Sequence, residues 1–139
     1  MKILRLLLSL LLFSTSVWAD GSGSKSKVDL IQEFNIRPGT EVLVKKTGLK
    51  LRFNGLVDDS RCPEGVDCIW AGNGKISLAV RQGRSKSVSF DLNTMTEPKS
   101  FKYENYVITL VKLAPYPKKD KTIRKRDYRA TLTVTRITR

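Results

Sequence analysis

Leu49-Lys50-Leu51-Arg52-Phe53-Asn54-Gly55-Leu56-Val57 decides how this chain folds. Leu49, Leu51, Phe53, Gly55 and Val57 share one face of an extended chain, and Lys50, Arg52 and Asn54 share the other. Successive strand side chains point to opposite faces, so this period of two predicts a strand with one side on a core and one in water.

The pattern repeats outward. Ile76, Leu78 and Val80 alternate with Ser77, Ala79 and Arg81, and Val88, Phe90 and Leu92 alternate with Ser87, Ser89 and Asp91. Gln82-Gly83-Arg84-Ser85 joins these two runs as a hairpin turn. Tyr128, Ala130, Leu132 and Val134 alternate with Arg129, Thr131, Thr133 and Thr135. Tyr106 to Leu113 is apolar on both faces and predicts a central strand. Val28 to Ile36, Thr40 to Lys46 and Ser100 to Tyr103 are shorter candidates, with Pro38-Gly39 and Thr47-Gly48 as breaks. No window of about 11 residues shows an apolar stripe at helical spacing.

The expected class is therefore all-β: one small antiparallel β-barrel or β-sandwich of seven or eight strands, with one disulfide-closed loop. Gly55 inside a strong strand suggests a bulge or tight bend, which tips the expectation toward a barrel-like form.

The start of the chain predicts export. Lys2 and Arg5 precede an apolar run from Leu6 to Phe13, and small residues lead to Val17-Trp18-Ala19. That order describes a secretory signal peptide over residues 1–19, too short in its apolar part to span a bilayer. Removing 19 of the 139 residues leaves 120, and losing Lys2 and Arg5 lowers the net charge from +13 to +11. Residues 20–27 read as a flexible Gly/Ser/Lys arm and 28–139 as a single β domain, periplasmic or secreted.

In an oxidising compartment, Cys62 and Cys68 are expected to pair. Closing so small a ring is worth roughly 2.4 kcal/mol in the chain-entropy picture, so its main effect is to hold a local shape. Pro63-Glu64-Gly65 suits a β-turn with Pro at the second position and Gly at the fourth. Two readings stand side by side. The loop is a structural plug, with Asp58 or Asp59 pairing with Arg61 and Trp70 capping one end of the core. Alternatively it is a stiff contact loop presenting Arg61, Pro63, Glu64, Val66, Asp67 and Trp70 to a partner. Calcium held by Asp58, Asp59, Glu64 and Asp67 is a third reading, but their spacing matches no calcium loop.

Asp59-Ser60-Arg61-Cys62-Pro63, Gly65-Val66, Cys68 and Trp70-Ala71-Gly72 resemble a segment found in a family of small exported bacterial proteins, many of them lipoproteins. Tyr106-Val107-Ile108-Thr109-Leu110, Pro115-Tyr116-Pro117 and Asp127-Tyr128-Arg129-Ala130-Thr131-Leu132 are similar to the same proteins, so the resemblance covers about residues 36 to 135. It implies export but no particular activity. Asp20 stands where the lipoprotein members have the cysteine that is lipidated.

A second segment carries charge. Lys118, Lys119, Lys121, Arg124, Lys125, Arg126 and Arg129 are opposed only by Asp120 and Asp127, which leaves +5 in twelve residues. Pro115 and Pro117 precede the run and a strong strand follows, which predicts a long exposed loop. It reads either as a solvated surface or as a site for an anionic partner: lipopolysaccharide, an acidic surface, nucleic acid or an acidic protein. Aromatic residues for stacking on bases are sparse, only Tyr116 and Tyr128 flanking the run, so nucleic acid is not specifically indicated.

Catalytic chemistry finds little footing. With no histidine there is no Ser-His-Asp or Cys-His arrangement and no histidine metal site. The cysteine spacing is not Cys-x-x-Cys, and Gly72-Asn73-Gly74 is no phosphate loop. The expectation is a binding protein that is not an enzyme, without cofactor, metal or catalytic residues. It would be an inhibitor of, or docking module for, another exported protein through residues 58–72, or a polyanion binder through 118–129.

Overall fold

The computed structural model describes residues 27–138, so the expected signal peptide and all but Lys27 of the arm lie outside the described residues. Eight strands form: β1 (Lys27–Ile36), β2 (Glu41–Leu43), β3 (Leu49–Asp59), β4 (Gly74–Gln82), β5 (Val88–Asn93), β6 (Ser100–Tyr103), β7 (Tyr106–Ala114) and β8 (Arg129–Thr138). A 3-10 turn, Lys125–Asp127, precedes β8.

The strands make two four-stranded antiparallel sheets, ordered β1-β8-β7-β6 and β2-β3-β4-β5. Among the described residues no strand pair joins one sheet to the other, so the barrel expected from Gly55 does not close. Gly55 does mark a bulge: the β3–β4 register shifts between Phe53 and Gly55, at a positive φ of 153°. The bend it gives β3 serves a two-sheet arrangement.

One apolar core lies between the sheets. Leu49, Leu51, Phe53, Ile76, Leu78, Val80 and Leu92 come from one sheet, and Ile36, Ile108, Leu110, Leu113, Ala130, Leu132 and Val134 from the other. Phe90 of β5 stacks on Phe101 of β6 with ring centroids 4.1 Å apart, bridging the two sheets.

Bulges correct the simple alternation. Past Gly55, Leu56 turns toward the core while Val57, expected inward, is exposed. A second shift between Leu56 and Asp58 follows, and the Asp59 side chain at the end of β3 is almost fully covered. In β7 alternation puts Leu110 inward and Val111 outside, and the register slip between Leu110 and Lys112 then brings Leu113 inward as well. β7 is interior to its sheet as expected. The Gln82–Ser85 hairpin forms, closed by Ser85 N–H donating to Gln82 O at 3.0 Å.

Candidate binding surface

Beyond the ends of β3 and β4 the chain continues as a paired stalk. Ser60 N–H donates to Asn73 O at 2.8 Å, Asn73 N–H returns to Ser60 Oγ at 3.2 Å, and Cys62 N–H reaches Ala71 O at 2.9 Å. Gly72, at φ 72°, lies so close to this partner that a Cβ would collide with the Ser60 carbonyl. Only glycine satisfies both demands.

The stalk is rooted by a buried ion pair. Asp59 Oδ1 and Oδ2 accept from Arg61 Nε and Nη2, each at 2.7 Å, a bidentate fork. Arg61 spends its remaining donors on backbone: Nη1 on Leu113 O at 2.6 Å and Nη2 on Pro115 O at 3.0 Å. Tyr116 lays its ring 5.0 Å from the guanidinium carbon, and Gly74 leaves the space into which Nε fits. Tyr128 completes the group by donating its hydroxyl to Asp59 Oδ2 at 2.8 Å.

Charge follows geometry. Burial pushes the Asp59 carboxyl up, but hydrogen bonds from Arg61 and Tyr128 and the Arg61 charge outweigh it and hold it below the ordinary value. Burial, then the hydrogen bond and charge of Asp59, push the Tyr128 hydroxyl from 10 to about 12.

Above this root the loop turns outward. Cys62 and Cys68 are bonded, with Cα atoms 5.9 Å apart. The turn falls one residue later than expected: Val66 N–H donates to Pro63 O at 3.2 Å, and Gly65, at φ 84°, takes the third position, which needs a positive φ. Pro63 is half-buried, while Glu64, Val66 and Asp67 are exposed.

Two placements differ from the sequence reading. Trp70, expected under the plug reading to cap the core, is 81% exposed, and its neighbour Ile69 is 92% exposed. Arg61, expected on the contact surface under the other reading, is only 5% exposed and forms the foundation of the loop instead. The loop therefore has a plug-like base and an open apex. Its acids do not gather as a calcium site would require: Asp59 serves Arg61 and Tyr128, and Glu64 pairs with Lys118 at 3.2 Å.

The basic loop lies against the disulfide loop. Glu64 N–H donates to Pro117 O at 2.9 Å and Lys119 N–H to Glu64 O at 3.0 Å, in a small parallel bridge. Lys118, Lys119, Lys121, Arg124, Lys125, Arg126 and Arg129 are all exposed. Arg124 is held by Asp127 through Nε at 2.6 Å and Lys118 by Glu64. Lys119, Lys121, Lys125, Arg126 and Arg129 have no ion-pair partner among the described residues.

A shallow groove of about 320 Å³ runs beside the stalk, lined by Ala71, Met95, Val111, Leu113 and Tyr116 with the edge of Arg61 at its floor. The other side of Tyr116 borders a cleft of about 280 Å³ with Lys118, Lys121 and Ile123. The sequence pattern did not mark Met95 or Val111 as surface groups, nor Tyr128 as the partner of Asp59, whereas Tyr116 is exposed beside the basic run it was expected to flank. Only Tyr128 carried a signal, since a buried phenol seeks a hydrogen-bond acceptor.

Compared with protein-family models, curated proteins and solved structures, the chain finds no match in any of the three. A disulfide is compatible with an exported protein, and among the described residues no helix is long and apolar enough to cross a membrane.

Proposed function

We propose that this is an exported binding protein, not an enzyme, which engages its partner through the apex of the disulfide loop. The observation that carries this reading is the exposure of Ile69 and Trp70, at 92% and 81%, on a loop fastened at its base. Large apolar side chains cost free energy in water, and tryptophan is prominent among residues that anchor interfaces. The disulfide, the Ser60–Asn73 pairing and the Arg61 root hold the loop still, so little conformational entropy is lost on docking. Val66, Ile69 and Trp70 are the contact residues, and Asp59, Arg61 and Tyr128 position them. The partner is a protein, which the loop would inhibit or dock to, or an anionic component of the envelope.

The test is capture from the envelope of a producing cell with intact protein and with Ile69→Ser/Trp70→Ser. A partner lost with the apex supports the reading. Partners that ignore both substitutions sink it.

The five cations without ion-pair partners among the described residues favour a second reading, in which the basic loop alone binds a polyanion such as lipopolysaccharide or nucleic acid. Affinity would then fall steeply with salt and ignore the apex.

A further inference from the structure

We infer that the disulfide loop and the basic loop form one amphipathic face that docks on an anionic phospholipid bilayer, with Ile69 and Trp70 entering the headgroup region and Lys119 and Lys121 against the phosphates. This rests on the proposed binding role of the loop apex and names the surface that apex meets.

Three observations converge. The two loops are joined by hydrogen bonds between Glu64 and both Pro117 and Lys119, and a Cβ on Gly65 would sit 3.7 Å from the Lys119 Cβ. The backbone of Lys118 and Lys119 is thus fixed beside the ring that carries Val66 and leads to Ile69 and Trp70, and Lys121 pairs back onto Lys118. Next, the apolar groups protrude, Ile69 being 92% exposed and Trp70 81% exposed. A fluid interface accepts such a protrusion without a matching hole, and tryptophan is favoured at headgroup depth.

The charges also complement the surface. Asp58 and Asp67 of the disulfide loop and Asp120 of the basic segment are carboxylates without an ion-pair partner among the described residues, against five such cations on that segment. The local balance is positive in a chain of net charge +13. Neither signal suffices alone: a few apolar side chains give marginal membrane binding, and basic residues near a surface are screened by salt. Together they make the two-signal anchor that stable attachment requires.

The experiment is sedimentation of the exported protein with vesicles of equal phosphatidylglycerol and phosphatidylcholine, and with vesicles of phosphatidylcholine alone. Binding is expected on the anionic vesicles and not on the neutral ones, weakening as salt rises. Lys119→Ser/Lys121→Ser should lower the partition coefficient roughly tenfold to thirtyfold. Ile69→Ser/Trp70→Ser should lower it by at least about tenfold, with the unfolding midpoint unchanged in both variants. Trp70 emission should move to shorter wavelength on the anionic vesicles, scored as the difference between the intact protein and Trp70→Phe.

Binding that survives loss of the apex, or that is equal on both vesicle types, overturns the inference. Absence of vesicle binding together with apex-dependent capture of a protein also overturns it and leaves the binding role standing. If nothing binds through the apex in either assay, both fall.

Discussion

Tyr128 donates its hydroxyl to Asp59 Oδ2 at 2.8 Å across 69 positions of sequence, tying the first residue before β8 to the last residue of β3. The same carboxylate receives the Arg61 fork, and Arg61 reaches on to the carbonyls of Leu113 and Pro115 at the end of β7. One buried polar cluster thus joins the two sheets at the end where the disulfide loop leaves the fold.

Breaking that cluster should be costly. Arg61→Ala leaves the Asp59 carboxylate buried without its counter-ion and strips a donor from two carbonyls, a loss of about 3–5 kcal/mol. Tyr128→Phe removes one hydrogen bond to a charged group and should cost about 1.5–3 kcal/mol. Urea unfolding midpoints of the two variants and the parent check both values. Equal, negligible losses would mean that the cluster is not a structural root.

The pH dependence has a sign at each end. Asp59 titrates lower when folded than its ordinary 3.8, so its contribution is full above that pH and is lost as pH falls through the lower, folded value. Tyr128 titrates near 12 instead of 10, so its contribution is full below pH 10 and disappears as pH rises from 10 toward 12. Spectrophotometric titration should show a late-ionising component near pH 12 that Tyr128→Phe abolishes.

Gly72→Ala should be among the most damaging single changes in the loop. The added Cβ would strike the Ser60 carbonyl, and backbone at φ 72° is unfavourable for any other residue. Relief requires the Ser60–Cys62 and Ala71–Asn73 arms to part, breaking the hydrogen bonds between them. A loss of at least about 3 kcal/mol is expected by denaturant unfolding. Gly83→Ala offers a comparison, because φ 56° strains it alike while nothing stands within 4 Å of the new atom. Its loss should be clearly smaller.

Much of the fold was legible in the sequence, because half-buried antiparallel strands write their alternation directly into residue type. Leu49, Leu51 and Phe53 face the core as the pattern requires, and so do Ala130, Leu132 and Val134. The pattern failed where a bulge changed its phase: Val57 looks like a core residue and is exposed after the slip at Gly55, and Leu113, outward by strict alternation from Leu110, is turned inward by the slip between Leu110 and Lys112. The choice between barrel and two sheets was not legible, because both demand the same alternation and differ only in which edges pair. In the loop, an aromatic beside a disulfide suggested inward packing of Trp70. Trp70 is exposed instead, and the buried side chain at the base of the loop is Arg61, whose donors find Asp59, Leu113 and Pro115. The Asp59–Arg61 pairing, two residues apart, was legible and forms as expected, whereas the carbonyls of Leu113 and Pro115 and the Tyr128 hydroxyl that complete the cluster are distant in sequence, and no local spacing records them.

Separating the apex from its base gives the last prediction. Trp70→Ala removes a side chain that is 81% exposed and should change stability by no more than about 0.5 kcal/mol. Replacing Cys62 and Cys68 by serine should cost about 2 kcal/mol from the short closed ring while the Asp59–Arg61–Tyr128 root stays formed. Both changes should nevertheless abolish apex-dependent binding, one by deleting the anchor and the other by loosening the loop that presents it. Unfolding curves and binding measured on the same samples give the comparison. Loss of binding in proportion to loss of stability would make the disulfide a staple of the fold alone. Loss of binding with the fold intact would place the function at Ile69 and Trp70.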